Sequence, residues 1–424
     1  MNRGNNYRTL VSAILIAFIH MVSFAQMAKV PVDDIKRMAM DESNVMQYAE
    51  DLAEGIGPRM TFSTKFSDAV DWAYQSLNEI GLDNVQKEYW EPYGRNWELN
   101  KYSFSVTEPY PMFINSCPKA WTSGTNGEQT AELIYLRGRT KEEFEQYKGK
   151  LKGKIVLITA PWPAPLSFDP IASRFADSTL QQMADASKMT DEELAEEKEQ
   201  HDAIMARYLP YYQLLADKIE FCTQEGALAT IEPGYRQYGS VMSFSVTLPG
   251  EVKDNIDFLV SGYRNDAPNV VPQISVSLEQ YATLINILND GRKVVADLEI
   301  DAEVGTEPVK GMNVVGEIKG SKYPNEIVTI GAHLDSYQAG LGAADNGAGV
   351  AIMMETMRIL KSLNVKPART IRIGLWGGEE QGFFGSTAYV NQHFIEGDEK
   401  HFVYFNLDNG AGLISGISLQ NNES

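Results

Sequence analysis

The C-terminal part of the sequence carries a histidine and several carboxylates whose types suit metal-assisted chemistry. Histidine is scarce, with five in the whole chain. The candidate side chains are His333, Asp335, Asp345, Glu379, Glu380 and Asp408. Mixed imidazole and carboxylate ligands suit zinc or a similar transition metal, whereas calcium prefers oxygen ligands alone. With one bridging carboxylate, such a set could hold two metal ions a few ångströms apart, an arrangement used for hydrolysis.

Carboxylates gathered in one crevice would repel one another and shift each other's pKa values unless a cation neutralised them. The adjacent pair Glu379 and Glu380 suggests a division of labour, because neighbouring side chains in extended backbone point in opposite directions. One carboxylate could then bind metal while the other acts as general base towards water. The alternative is a solvated acidic strand edge. The glycines of Trp376-Gly-Gly-Glu-Glu favour a site, because they let backbone approach a ligand closely.

Short apolar runs predict the strands that must position these side chains. The predicted strands cover residues 326–331, 370–376 and 402–407. Between the first two, apolar residues from Val350 to Leu360 recur at the spacing of one helix face. Strands alternating with helices predict an α/β fold with a mostly parallel or mixed sheet sandwiched by helices. Ligands bind beyond the carboxyl ends of such strands, which is where the candidate residues follow.

The rest of the chain predicts two further regions. From Val30 to about Tyr89 the apolar spacing is helical, with a strand opening at Val85. Residues 105–306 alternate short apolar runs with turns, as in a mixed α/β module. Within this region the polar stretch Asp177 to Lys218 predicts a solvated helix pair.

Composition narrows the classes of function. The 424 residues are 43% hydrophobic and 22% charged, which excludes disordered and collagen-like chains. Asp and Glu number 57 against 37 Lys and Arg, a net charge of −20. That charge repels phosphate backbones and argues against nucleic-acid partners. It would also attract cations, although a solubilising surface explains most of it.

Residues 1–25 predict a secretory signal peptide. Arg3 and Arg8 precede an apolar run from Leu10 to Met21, and Ser23-Phe24-Ala25 has the small residues of a cleavage site. A membrane anchor is the alternative, but the run is shorter than the roughly 20 residues of a spanning helix. We therefore expect a secreted or periplasmic protein without an integral membrane span after cleavage. Cys117 and Cys222 could form a disulfide there or remain two buried thiols.

Three stretches make the sequence recognisable: GAHLDSYQAGLGAADNGAGV, VKPARTIRIGLWGGEEQGFFGSTAYVNQHF and YFNLDNGAG. They resemble the co-catalytic zinc exopeptidases, most closely the carboxypeptidase Q group. Spacings of 12, 35 and 28 residues through the ligand positions make the resemblance specific. The resemblance extends to GPRMTFSTKFSDAVDWAYQSLNEIGLDNV near the start.

The resemblance implies a role for each candidate residue and two zinc ions. His333, a bridging Asp345 and Asp408 would hold one zinc, while Asp345 and Glu380 contribute to the other. Glu379 would be the general base, and Asp335 would orient His333.

The resemblance also implies a domain organisation. Residues 26–104 and 307–424 would form the catalytic domain. Residues 105–306 would be an inserted protease-associated domain that includes the acidic helical segment.

One ligand of the family pattern has no counterpart here. The family has a further His well beyond the Asp408 position, but this sequence stops at Ser424. His401 and His393 are poor substitutes, because a strand and a helix separate them from the site. We therefore expect the sequence to be C-terminally incomplete.

The expected activity is hydrolysis of dipeptides or short peptides by metal-activated water, with Glu379 as base. An aminopeptidase acting on longer peptides could use the same machinery. A non-catalytic peptide- or protein-binding relative of the fold is the alternative from another class. A homodimer is possible, and the preferred peptide end is not specified by these residues.

Overall fold

The computed structural model describes residues 32–163, 165–166, 168–170, 172–186, 189–253, 261–408 and 412–419. The predicted signal peptide lies outside these residues. The helices are α1 (Val32–Asp41), α2 (Val45–Glu50), α3 (Thr64–Ile80), α4 (Lys141–Phe144), α5 (Asp177–Ala184), α6 (Asp191–Gln224), α7 (Leu278–Asn289), α8 (Ala348–Ser362) and α9 (Phe384–Val390). The strands are β1 (Asp83–Glu108), β2 (Met112–Phe113), β3 (Ser116–Pro118), β4 (Gln129–Tyr135), β5 (Ile155–Leu157), β6 (Ala229–Pro233), β7 (Gln273–Val276), β8 (Val295–Ile318), β9 (Tyr323–His333), β10 (Arg369–Trp376) and β11 (Lys400–Asn406). Short π-helical turns cover Asp51–Ile56, Ala343–Gly347 and Asn391–Ile395, and 3-10 turns cover Glu145–Tyr147 and Ser261–Tyr263.

The three strands predicted from apolar runs near the C-terminus are β9, β10 and β11. They pair in parallel in the spatial order β11-β9-β10. Helix α8 packs its apolar face, including Val350, Met354 and Met357, against this sheet and α3. The predicted strand–helix–strand unit is therefore present, and all three strands end at the same edge.

A long antiparallel ribbon of β1 and β8 joins this parallel sheet to a second one. One end of β8 pairs with β10 and the other with β4, while β1 follows β8 along most of its length. The predicted domain boundaries at 104/105 and 306/307 fall inside β1 and β8. The division into a catalytic and an inserted domain remains a prediction.

The middle region forms its own layered unit. Strands β4, β5, β6 and β7 are parallel, and β3 closes the edge in the antiparallel sense. Burial of Ile155, Ile231, Ile274 and Tyr281 places a separate hydrophobic core beside α7. The predicted α/β fold with a mixed sheet is confirmed, since all these strands form one continuous sheet.

Helix α6 is solvated only in its first half. Its start carries a capping box, in which Thr190 and Glu193 satisfy each other's backbone amides. Towards its C-terminus Leu215 and Ile219 are buried, and Lys218 is 4% exposed. The Lys218 ammonium donates to two backbone carbonyls, at 2.6 Å and 3.2 Å. The prediction of a solvated stretch as far as Lys218 is wrong, because these last turns pack against the middle sheet.

The two cysteines do not form a disulfide. Cys117 is half-buried and Cys222 fully buried, and both are free thiols. Burial raises the pKa of Cys117 to about 11 and that of Cys222 to about 12. The sequence allowed either a disulfide or two separate thiols, and the structure shows two separate thiols.

Within the described part of the chain, no helix is long and apolar enough to cross a membrane.

Candidate metal and catalytic site

The predicted site residues meet at the carboxyl edge of the parallel sheet. His333 is the last residue of β9 and lies beside Trp376, the last residue of β10. Asp408 follows the end of β11 by two residues, and Asp345 lies in the turn that leads into α8. The shared direction of β9, β10 and β11 thus brings residues far apart in sequence to one place.

His333 is the centre of the cluster. Its Nε2 lies 3.0 Å from Asp345 Oδ1, 3.2 Å from Asp408 Oδ1 and 3.9 Å from Glu379 Oε2. The ring is 2% exposed, whereas the Asp345 carboxylate faces solvent. Burial of the imidazole opposes its charging, but hydrogen bonds from the ring to the surrounding Asp carboxylates raise the pKa of His333 far above its usual value.

Two sets of side chains bring their ligand atoms within 4.8 Å of one another: His333 with Asp345 and Asp408, and His333 with Glu379 and Glu380. The distances of 3.0 Å and 3.2 Å from His333 Nε2 to the Asp345 and Asp408 oxygens are short enough for both to bind one zinc ion through bonds of about 2.0–2.2 Å. The residues therefore fit the metal that their types predict. Neither set combines Asp345 with Glu380, so the bridging role of Asp345 remains a prediction.

Glu379 and Glu380 lie in a turn after β10 and not in extended backbone. The premise that their side chains point in opposite directions is therefore wrong, since both carboxylates approach His333. Burial and nearby carboxylates raise the pKa of Glu379 to about 7 and that of Glu380 to about 9. A carboxylate whose pKa lies near neutrality can both take up and release a proton at physiological pH.

The turn itself depends on Gly377 and Gly378. A Cβ on Gly377 would lie 2.5 Å from the Met312 carbonyl oxygen, and Gly378 has a φ of +72°. A Cβ on Gly378 would also meet the Trp90 ring at 2.6 Å. Only glycine allows both the close backbone approach at residue 377 and the positive φ at residue 378. The two glycines therefore let the turn place two consecutive acidic residues close to the sheet edge.

Asp335 is fully buried and lies beside Nδ1 of the His333 ring. The Nδ1 of His333 lies 3.1 Å from the Asp335 backbone oxygen and 3.5 Å from its carboxylate. The carboxylate also accepts hydrogen bonds from the backbone amides of Glu379 and Glu380, both at 3.3 Å. Asp335 thus touches both the ring of His333 and the turn that carries the two glutamates.

Sequence reasoning missed Arg59, which holds the loop between His333 and Asp345. Its buried guanidinium donates to the carbonyl oxygens of Leu334 at 2.6 Å, Leu341 at 3.0 Å and Gly342 at 2.9 Å. Burial lowers the pKa of Arg59 to about 10, although nearby site carboxylates oppose this. The only indication in the sequence was that Arg59 lies in the GPRM segment of the family resemblance. No role was assigned to that segment.

The middle region also contacts the site loop. The Tyr337 hydroxyl donates to the Glu380 carbonyl at 3.2 Å, while its ring meets Phe244 edge-on at 5.7 Å. The Gln338 amide donates to the Pro118 carbonyl at 3.2 Å. Contacts from β3 and from Phe244 therefore support the loop in addition to those of Arg59.

His393 and His401 lie away from the site, as expected. His393 hydrogen-bonds Glu88 at 2.9 Å and lies 3.2 Å from Glu399, and the His401 ring packs on Phe394. The ion pair with Glu399, which itself binds Arg372, and the bond to Glu88 raise the pKa of His393 to about 9.

The His393 cluster predicts a pH dependence of stability. Because the folded-state pKa exceeds the usual 6.5, the contribution is complete below about pH 6.5 and is lost as pH rises towards 9. After allowance for solvent screening, we expect a loss of about 1 kcal/mol. Urea unfolding at pH 6 and pH 9 of the protein and of His393→Gln checks this. Equal differences between the two pH values in both proteins would contradict the prediction.

A buried histidine and converging carboxylates at the carboxyl edge of a parallel sheet define a candidate metal-dependent hydrolase site. Residues 313–420, which carry all six candidate residues, match the model of Peptidase family M28. The resemblance to the zinc exopeptidases thus agrees with a comparison that spans the site.

Relatives extend the similarity beyond the site. Carboxypeptidase Q of Mus musculus is 26% identical over 367 residues, which cover 86% of this chain and 65% of that protein. Carboxypeptidase Q of Homo sapiens is 26% identical over 374 residues, covering 88% and 66% respectively. This chain therefore spans about two thirds of the length of these curated relatives.

A solved structure shares the fold. The Peptidase M28 precursor of Shewanella amazonensis SB2B superposes with a TM-score of 0.56 at 25% identity, covering 91% of this chain and 74% of that one. The predicted resemblance to the co-catalytic zinc exopeptidases, and to carboxypeptidase Q among them, is confirmed. The matching family model and these relatives are all peptidases, which is the class of protein that this chain resembles.

Proposed function

We propose that this protein is an extracytoplasmic, zinc-dependent exopeptidase that hydrolyses dipeptides or short peptides. The observation that carries the proposal is the pair of candidate ligand sets that share His333, the second of which contains Glu379 and Glu380. Family membership of the matching segment and the carboxypeptidase Q relatives support the same class. The signal-peptide pattern of residues 1–25 supports secretion or export to the periplasm.

The residues that would hold zinc follow from the donor set. His333, Asp345 and Asp408 would bind one ion, and Glu380 with Asp345 the other, as the resemblance implies. When bound, zinc would polarise the peptide carbonyl and make water more acidic. Asp335 keeps the His333 ring oriented through its contact with Nδ1, so that Nε2 faces the carboxylates.

Glu379 would carry the proton in the reaction. Its carboxylate would remove a proton from the attacking water, whose oxygen forms a bond to the carbonyl carbon of the peptide. The carbon–nitrogen bond then breaks, and Glu379 would give the same proton to the leaving amine. The pKa of about 7 suits both directions of transfer.

Product identification tests the proposal most directly. The zinc-loaded protein is incubated with matched dipeptides, tripeptides and longer peptides, each also supplied with a blocked amino or carboxyl terminus. Faster cleavage of dipeptides supports the proposal, and the blocked series shows which end is recognised. Preference for long peptides with a free amino terminus would instead establish an aminopeptidase. Binding without cleavage of any peptide would point to the non-catalytic alternative.

A further inference from the structure

Thr61 is a fully buried hydroxyl beside the candidate site, in a segment far from it in sequence. Its Oγ1 donates to Asp335 Oδ2 at 2.8 Å and accepts from the backbone amide of Gly378 at 2.9 Å. The Thr61 hydroxyl is thus both a hydrogen-bond donor and an acceptor, and its two partners lie on different loops. One of these loops follows β9 and the other follows β10.

Asp335 extends this contact to the two glutamates. Besides the Thr61 hydroxyl, its carboxylate accepts from the backbone amides of Glu379 and Glu380. Three consecutive amides of the turn, from Gly378 to Glu380, are therefore held by Thr61 and Asp335. Each of these hydrogen bonds restrains one peptide plane of the turn.

Thr61 is itself anchored by its own segment. Two residues earlier, the Arg59 amide donates to the Ser336 hydroxyl and the Ser336 amide donates to the Arg59 carbonyl. The Arg59 side chain adds a bond to Leu334. Residues 59–61 and 334–336 therefore form a short clasp, and Thr61 reaches from that clasp to the turn after β10.

We propose that Thr61 is a positioning residue, which fixes the Glu379–Glu380 turn relative to His333 through Asp335 and Gly378. This inference rests on the proposed peptidase function. Without the hydroxyl, the buried Gly378 amide loses its acceptor and Asp335 loses a donor, so the turn is free to shift. A displacement of about 1 Å at a reacting group can lower the rate about 100-fold.

The test compares Thr61→Val with Thr61→Ser. Valine keeps the shape but removes the hydroxyl, whereas serine keeps the hydroxyl. Thr125→Val is the matched control, because Thr125 is also buried and its Oγ1 also donates to a carbonyl and accepts from an amide, but in the middle region. For each zinc-loaded protein we measure kcat and KM, zinc affinity by competition with a chelating dye, and the melting temperature.

We expect Thr61→Val to lower kcat or zinc affinity by about 10- to 100-fold. Serine should restore both to within about threefold, and Thr125→Val should change neither. Thr61→Val with kcat and zinc affinity both within twofold of the parent would overturn the inference. An equal loss in Thr125→Val would overturn it as well, since the effect would then be general destabilisation.

The experiment also distinguishes a folding defect of the variant from a failure of the proposed function. If Thr61→Val does not fold, Thr61→Ala removes the same hydroxyl without introducing a methyl group in its place, and the same criteria apply. If the parent protein cleaves no peptide, the proposed function fails. The zinc competition then still decides whether Thr61 positions Glu380.

Discussion

Replacing Glu379 by glutamine is expected to abolish peptide hydrolysis while leaving zinc content nearly unchanged. The amide keeps the size of the side chain but cannot take up a proton from water. General-base removal typically costs about 100- to 10,000-fold in rate. Glu379 is not in the set of His333, Asp345 and Asp408, so those ligand atoms remain in place. Glu379 does belong to the second candidate set, but the proposal assigns the other ion to Glu380 and Asp345. Zinc per chain by elemental analysis and turnover on a cleaved peptide measure the two effects.

Glu380→Gln is the matched control, because it makes the same chemical change one residue away. It should lower the occupancy of one metal position together with activity, since an amide is a weaker ligand than a carboxylate. The two variants therefore separate proton transfer from metal binding. Hydrolysis retained in Glu379→Gln would end the proposed role of Glu379, and zinc lost equally in both variants would show that Glu379 is a ligand.

Much of the sheet edge was predictable from sequence because it depends on local signals. Apolar runs located β9, β10 and β11, and parallel strands necessarily end on one side. His333, Glu379 and Asp408 each lie at or just after the end of one of these strands. The shared edge therefore brings them together. The structure places His333 within 3.2 Å of two of the predicted carboxylates, which agrees with that argument.

The geometry of the turn after β10 was not predictable in the same way. Alternation of side chains holds only in extended backbone, and the positive φ of Gly378 ends the strand before Glu379. The close approach of Trp90 and Met312 to these glycines is a contact between distant segments. Such contacts leave no periodic pattern in the sequence around residue 378.

The supporting residues were missed for a related reason. Arg59 and Thr61 lie more than 270 residues before the loops that they hold, as the separations of 275 and 274 show. A single Arg or Thr on a short segment has no spacing that marks it as buried or functional. The predicted domain boundaries fall within the continuous strands β1 and β8, and the division into two domains stays a prediction.

Removing metal is expected to have the second large effect, on stability as well as on activity. Burial together with neighbouring carboxylates raises the pKa of Glu380 to about 9, so its ionised form is costly when no cation is near. A metal that binds only the folded state stabilises it by mass action, about 4 kcal/mol at a thousandfold excess over Kd. Chelation should therefore lower the melting temperature by several degrees and abolish hydrolysis.

Restoring zinc separates this effect from damage by the chelator. Added zinc should return both melting temperature and activity, whereas magnesium should not, because it prefers oxygen ligands and an octahedral shell. Glu380→Gln offers an internal comparison: with one ligand weakened, its melting temperature should fall less on chelation than that of the parent. A chelator that changes neither the melting temperature nor the activity of the parent protein would refute the metal site. A melting temperature that responds while hydrolysis persists would show that the metal supports the fold around His333 without taking part in the chemistry.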